Sequence, residues 1–163
     1  MNARDAVKST YALPDQLCRG YLDGLTDADL LVRPVPKANH IAWQLGHLIT
    51  SEHEFVEGLC PGLAPPLPAG FAAKHTKETA ESDNPKDFCT KDEYLKLYDQ
   101  MRAASLKMVD KVSESDYEKP APEKFRSYCP TVAAVLLLVP SHWLMHAGQW
   151  AVVRRKLGKP PLF

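Results

Sequence analysis

Between Arg126 and Arg154 the chain carries no Asp, Glu, Lys or Arg. A charge-free stretch of this length either crosses a bilayer as a helix or is buried by the other helices of a soluble domain. Its own residues favour burial. Pro140, Ser141, His142, His146 and Gln149 sit in its middle, and the longest strictly apolar run is only Val132 to Val139. Polar groups at bilayer depth are costly unless other spans shelter them, and the chain offers no second candidate. The spacing therefore predicts a central, buried helix from about Thr131 to Leu157, with no membrane partner. Gly158 serves as its stop, and Arg154, Arg155 and Lys156 lie in the last turn, where cations suit the helix dipole. Pro140 removes one backbone hydrogen bond and is expected to bend this helix just before His142.

Three further helices are expected. Leu13, Leu17, Tyr21 and Leu25 recur at four-residue steps, which predicts a helix from about Ser9 to Leu25, kinked at Pro14 or starting later. A second opens with Asn39 as its cap and runs to about Leu59, with Ile41, Leu45, Leu48, Phe55 and Leu59 as its apolar face. The third begins at Thr90-Lys91-Asp92-Glu93, a capping box, and continues through Tyr94, Leu97, Met101, Ala104, Met108 and Val112. Residues 60–89, holding five prolines, form a long connection for which Phe71 and Phe88 are the natural anchors. A second irregular segment follows Ser113. Sustained strand alternation is missing throughout. The fold class is all-α, a four-helix bundle with two long connections, in a single domain over residues 1–163.

Charge and cysteine usage narrow the function. Twenty basic and twenty acidic residues give a formal net charge of zero, without the basic excess of a nucleic-acid binder. Cys18, Cys60, Cys89 and Cys129 lie far apart and form no C-x-x-C pair, so neither a disulfide framework nor a structural zinc site is suggested. The start, Met1-Asn2-Ala3-Arg4-Asp5, has no apolar export segment, and reduced thiols in a cytoplasmic protein are the expectation.

Chemistry concentrates in the histidines. His142 and His146 stand four apart within the most apolar helix, so their imidazoles share one face, one turn apart, and can meet one ion. A third nitrogen ligand must come from another helix, and His47, among Leu45, Leu48 and Ile49, is the natural choice. A histidine pair at this spacing also occurs as ordinary core packing, so spacing alone leaves both readings open. His142 is not followed by Glu, which excludes the zincin pattern. His40 lies two turns before His47, at the mouth of such a site or as a cap. His53 is expected to face solvent. Glu54 returns to the His47 face about 10 Å further along, as an outer or substrate-facing group. Gln149 shares the face of His142 and His146 and is placed to hydrogen-bond a ligand imidazole, the way such ligands are oriented, or to pack against a neighbouring helix. Trp43, Trp143 and Phe71 are candidates for the pocket wall, although buried aromatics are mostly core.

The segment Arg33-Pro34-Val35-Pro36-Lys37-Ala38-Asn39-His40-Ile41-Ala42-Trp43-Gln44-Leu45-Gly46-His47-Leu48 resembles the second-helix motif of the DinB/YfiT-like superfamily. The run from Ser141 to Trp150, followed by Arg154 to Pro161, is similar to that family's ending. Gly70-Phe71 and Ser82-Asp83-Asn84-Pro85 resemble its long connection. The likeness covers essentially the whole chain, and its most specific part is His-x-x-x-His-x-Gly-Gln. The chain departs from the pattern at His40, where relatives commonly have a small polar residue. The resemblance implies a four-helix bundle, often a homodimer, binding one divalent metal through His47, His142 and His146. It also implies metal-dependent transferases that use low-molecular-weight thiols, alongside hydrolase-like and isomerase members.

Three neutral imidazoles leave at least one open position on a divalent ion, the pattern of a catalytic rather than a closed structural site. Nitrogen-only ligation suits zinc, nickel or iron(II) alike. The function expected is a metal-dependent transferase or hydrolase acting on a small molecule, with any sulfur supplied by a cosubstrate thiol. The alternative is a non-catalytic metal- or ligand-binding stress-response module working through dimerisation. The tail Leu162-Phe163 would serve a dimer contact under either.

Overall fold

The computed structural model describes residues 1–162. Its helices are α1 (Ala3–Ser9), α2 (Ala12–Leu22), α3 (Ile41–Leu59), α4 (Lys91–Lys111) and α5 (Val132–Lys156). Apart from an isolated bridge between Pro120 and Thr131, no extended pairing occurs among the described residues. α2 packs on α5, α3 lies against both α4 and α5, and α1 rests on α4. Among the described residues no helix is long and apolar enough to cross a membrane.

The N-terminal stripe is two helices, not one. Thr10 ends α1 by turning its hydroxyl back onto the Val7 carbonyl at 2.6 Å. Pro14 then falls in the first turn of α2, where its missing N–H costs little, so it causes no interior kink. The buried face of this pair is Val7, Tyr11, Pro14, Cys18 and Leu22, with Leu25 buried just past the end of α2, whereas Leu13 is exposed. Leu162 closes over Gly20 of α2. Phe163, the other half of the expected dimer tail, lies outside the described residues.

α3 starts one residue later than expected. His40, not Asn39, is the cap: its Nδ1 accepts from the Trp43 amide at 3.0 Å. α4 begins with the full capping box of Thr90 and Glu93. α5 is capped by the Thr131 hydroxyl and stops before Gly158, whose φ of 69° needs a residue without Cβ strain.

One feature of α5 differs from the sequence expectation. It is less buried than α3, because Leu137, Met145 and Val152 stay exposed on its outer side while α3 buries a nearly unbroken run from Ile41 to Ile49. As expected, the helix continues through Pro140. Proline cannot donate to the carbonyl four residues back. The Tyr11 hydroxyl takes that place, donating to the buried Leu136 carbonyl at 3.4 Å.

The long connection is ordered by polar staples as well as by Phe71. Arg33 donates to the carbonyls of Ala38, Ala80 and Ser82 and pairs with Asp83 at 2.8 Å. His75 is buried beneath this loop, its Nδ1 donating to the Phe71 carbonyl and its Nε2 accepting from the Tyr94 hydroxyl, both at 2.8 Å. The ring lies flush against α3 at Gly46, where an added Cβ would come within 2.1 Å of the imidazole. A ring tied at both nitrogens has little room to yield. Gly46→Ala is therefore expected to destabilise the chain by about 2–3 kcal/mol, at the upper end of overpacking costs. Urea denaturation measures it, and a loss below about 0.5 kcal/mol would contradict this account.

Candidate metal centre

His47 lies in the second turn of α3, and His142 and His146 lie one turn apart on α5 just past Pro140. The contact between α3 and α5 closes the three rings into one cluster. Ring centroids are 5.1 Å apart for His47–His142, 5.6 Å for His47–His146 and 5.0 Å for His142–His146. One ligand nitrogen from each lies within 4.8 Å of the others, and all three residues are half-buried. A tetrahedral ion with bonds of about 2.0–2.1 Å needs donors roughly 3.4 Å apart, so small side-chain rotations separate this cluster from a ligand set. His47 and His142 make no hydrogen bond to other protein groups among the described residues, and their lone pairs are uncommitted. The residues fit a divalent cation.

Burial keeps the rings in the form a metal needs. Desolvation lowers the His142 pKa to about 4, helped by His47, and that of His146 to about 3, helped by His142 and His47. His47 is lowered as well, by burial and then by the Lys77 cation. Neutral imidazoles carry free lone pairs at physiological pH.

The remaining candidates occupy different places. Trp43 stacks flat on His47, with centroids 5.0 Å apart and planes within 6°, and its indole N–H is tied to the Thr76 carbonyl at 3.0 Å. His40 is a structural cap, its second nitrogen meeting the Ser82 carbonyl at 3.0 Å. Among the described residues Gln149 makes no hydrogen bond to an imidazole; it accepts from the Gln44 amide at 3.2 Å. Glu54 is exposed and only its backbone carbonyl is engaged, by Lys124. Phe71 and Trp143 are core rather than pocket wall. Phe71 is buried against His75 and Tyr94. Trp143 packs on Tyr98 and donates to Glu52 at 2.6 Å.

Sequence reasoning passed over the groups that brace this cluster. Glu52 is 1% exposed and accepts from Trp143, from Ser105 at 2.5 Å and from Arg102 at 3.2 Å. Arg102 in turn pairs with Asp15 at 2.8 Å and lies over the rings of Tyr11 and Tyr98. Gln44 bridges Trp150 and His146. A hollow of about 480 Å³ near the far ends of α3 and α4 includes none of the three histidines. Its basic groups are partly spent, Lys119 on Asp116 and Arg126 on the Ala121 carbonyl.

The buried imidazoles have a consequence for stability. His75, with His142 and His146 in the metal-free chain, is held neutral by burial, His75 at a pKa of about 4 against 6.5 when exposed. As pH falls from 6.5 towards 4 the unfolded chain takes up these protons and the folded chain does not, so folding stability declines across that window. Above it the penalty is absent. The His75 share alone amounts to roughly 3 kcal/mol at its fullest. Denaturation midpoints at pH 7.5 and 4.5 should therefore differ more in the parent than in His75→Gln; equal differences would refute the assignment.

The sequence model of the DinB superfamily matches residues 15–150. No curated protein matches the chain. The matched span runs from the first turn of α2 to Trp150 and takes in all three clustered histidines. As it covers most of the chain, the protein belongs to the DinB superfamily.

Proposed function

We propose that the protein is a metal-dependent enzyme, built as a four-helix bundle with two long connections, that holds one divalent cation through His47, His142 and His146. The observation that carries this reading is the convergence of three half-buried imidazoles, with no carboxylate or thiol joining them among the described residues. When bound, such an ion supplies Lewis acidity and makes a water or thiol at its open position more acidic. The chain's own residues keep the ligands neutral by excluding water and fix the His47 ring under the Trp43 indole. Lys77 adds positive charge beside His47, which favours an anionic reactant.

The substrate we favour is a small molecule, with transfer to or from a low-molecular-weight thiol ahead of simple hydrolysis. The protein's own sulfurs are poor nucleophiles. Burial pushes all four thiols up, Cys18 to about 12, and none joins the histidine cluster. A cosubstrate would therefore bring the sulfur. The homodimer expected of the family is part of the same proposal.

Elemental analysis of purified and zinc-, nickel- or iron(II)-reconstituted protein tests the reading, followed by a screen of thiols against electrophiles. One equivalent of metal with thiol-dependent turnover is the expected result. Metal at one equivalent without turnover on any pair would favour the binding module, and no metal after reconstitution would remove the site.

A further inference from the structure

Gln44 lies three residues before His47 on α3 and is wholly buried. Its side-chain amide makes four contacts. Oε1 meets Trp150 Nε1 and His146 Nδ1, each at 2.9 Å, while Nε2 meets the Asn39 carbonyl at 2.6 Å and Gln149 Oε1 at 3.2 Å. The orientation of an amide is ambiguous only when its neighbours can both donate and accept. Here they cannot. An indole N–H only donates, so the atom facing Trp150 is oxygen, and a backbone carbonyl only accepts, so the atom facing Asn39 is nitrogen. Both ends fix the same orientation independently, and turning the amide over would break the bonds to Trp150 and Asn39.

A fixed oxygen opposite His146 Nδ1 dictates where that ring carries its proton. Nδ1 must donate to it, which leaves Nε2 bare. We infer that Gln44 is a positioning residue for the metal: clamped by Trp150 and Asn39, it holds His146 as the Nδ1–H tautomer and so presents Nε2 as the ligand atom before any ion arrives. His47 and His142 have no such protein partner among the described residues, so the pre-set ligand is His146. Gln149, by accepting from Gln44 Nε2, supports the clamp from the solvent side. The use of this device rests on the metal-site reading proposed above. The tautomer itself is a property of the metal-free chain.

That separation sets the experiment. Long-range proton–nitrogen correlation spectra of metal-free protein, labelled with nitrogen-15 at histidine and recorded at pH 7.5, report which ring nitrogen of each histidine is protonated. The His146 signal is assigned by its loss in His146→Gln. The expected spectrum shows His146 with its proton on Nδ1. In Gln44→Met, which keeps the volume and removes the acceptor, His146 should become a mixture of tautomers. Zinc affinity, read by competition with a chromophoric chelator, should weaken about 10–100-fold, the range for outer partners of ligating histidines. Gln44→Glu, held protonated by burial so that its O–H still donates to the Asn39 carbonyl while the other oxygen faces His146, should recover both readouts. A parent spectrum with the His146 proton on Nε2 overturns the inference without any variant having to fold. Unchanged tautomer and zinc affinity in Gln44→Met overturn it alone. Failure of the parent to bind zinc at all overturns the metal site, and this role with it, and is told apart because the tautomer spectrum needs no metal.

Discussion

Replacement of Arg102 by alanine is expected to cost about 3–5 kcal/mol, the penalty for leaving a buried charge without its partner. The partner is Glu52, which is 1% exposed and lies on the face of α3 turned towards α4 and α5. Burial pushes its carboxyl pKa up, while Arg102, Ser105 and Trp143 pull it back. Without the guanidinium only the two neutral donors remain, and Asp15 loses its ion pair as well. Urea denaturation at pH 7.5 measures the loss. The double variant Arg102→Met with Glu52→Gln should recover a large part of it, because removing both charges removes the desolvation problem. A single-variant cost under about 1 kcal/mol would show that the pair is not the brace described above.

The second large effect falls on metal binding. His146→Ala should lower zinc affinity by far more than the 10–100-fold expected for an outer partner, since it deletes a donor instead of tilting one. The chain should stay folded, because the ring is half-buried and the packing of α5 on α3 also rests on Trp143, Ala147 and Trp150, all of them buried. Chelator competition and far-ultraviolet circular dichroism read the two halves of this expectation. A variant with parental affinity would show that the cation, if any, is held elsewhere.

These two results draw on residues of very different visibility. Thr90 and Glu93 could be read as a helix start because a capping box lies within four consecutive residues. His142 and His146 could be read as a pair because one helix turn sets their spacing. His47 stood out as a histidine inside an apolar run, and the likeness to the DinB superfamily tied it to the other two. Glu52 could not be found this way. Counting in sevens from His47 leads to Glu54, which the structure leaves exposed, while Glu52 is about 140° round the helix from His47 and meets partners from α4 and α5. Gln44, His75 and Arg33 were equally hidden, since each acts through contacts 19 or more residues away that no local period encodes. The break between α1 and α2 was missed for a related reason. Apolar residues recur across it at helical intervals, and only the turn at Thr10 interrupts the chain.

The Tyr11 hydroxyl, standing in for the amide that Pro140 lacks, makes the histidine-bearing helix a poor module for transplantation. Grafted into another scaffold, residues 132–156 would carry a bare carbonyl at Leu136, six residues ahead of His142. A protein engineer would have to import a donor to cover it or give up the proline.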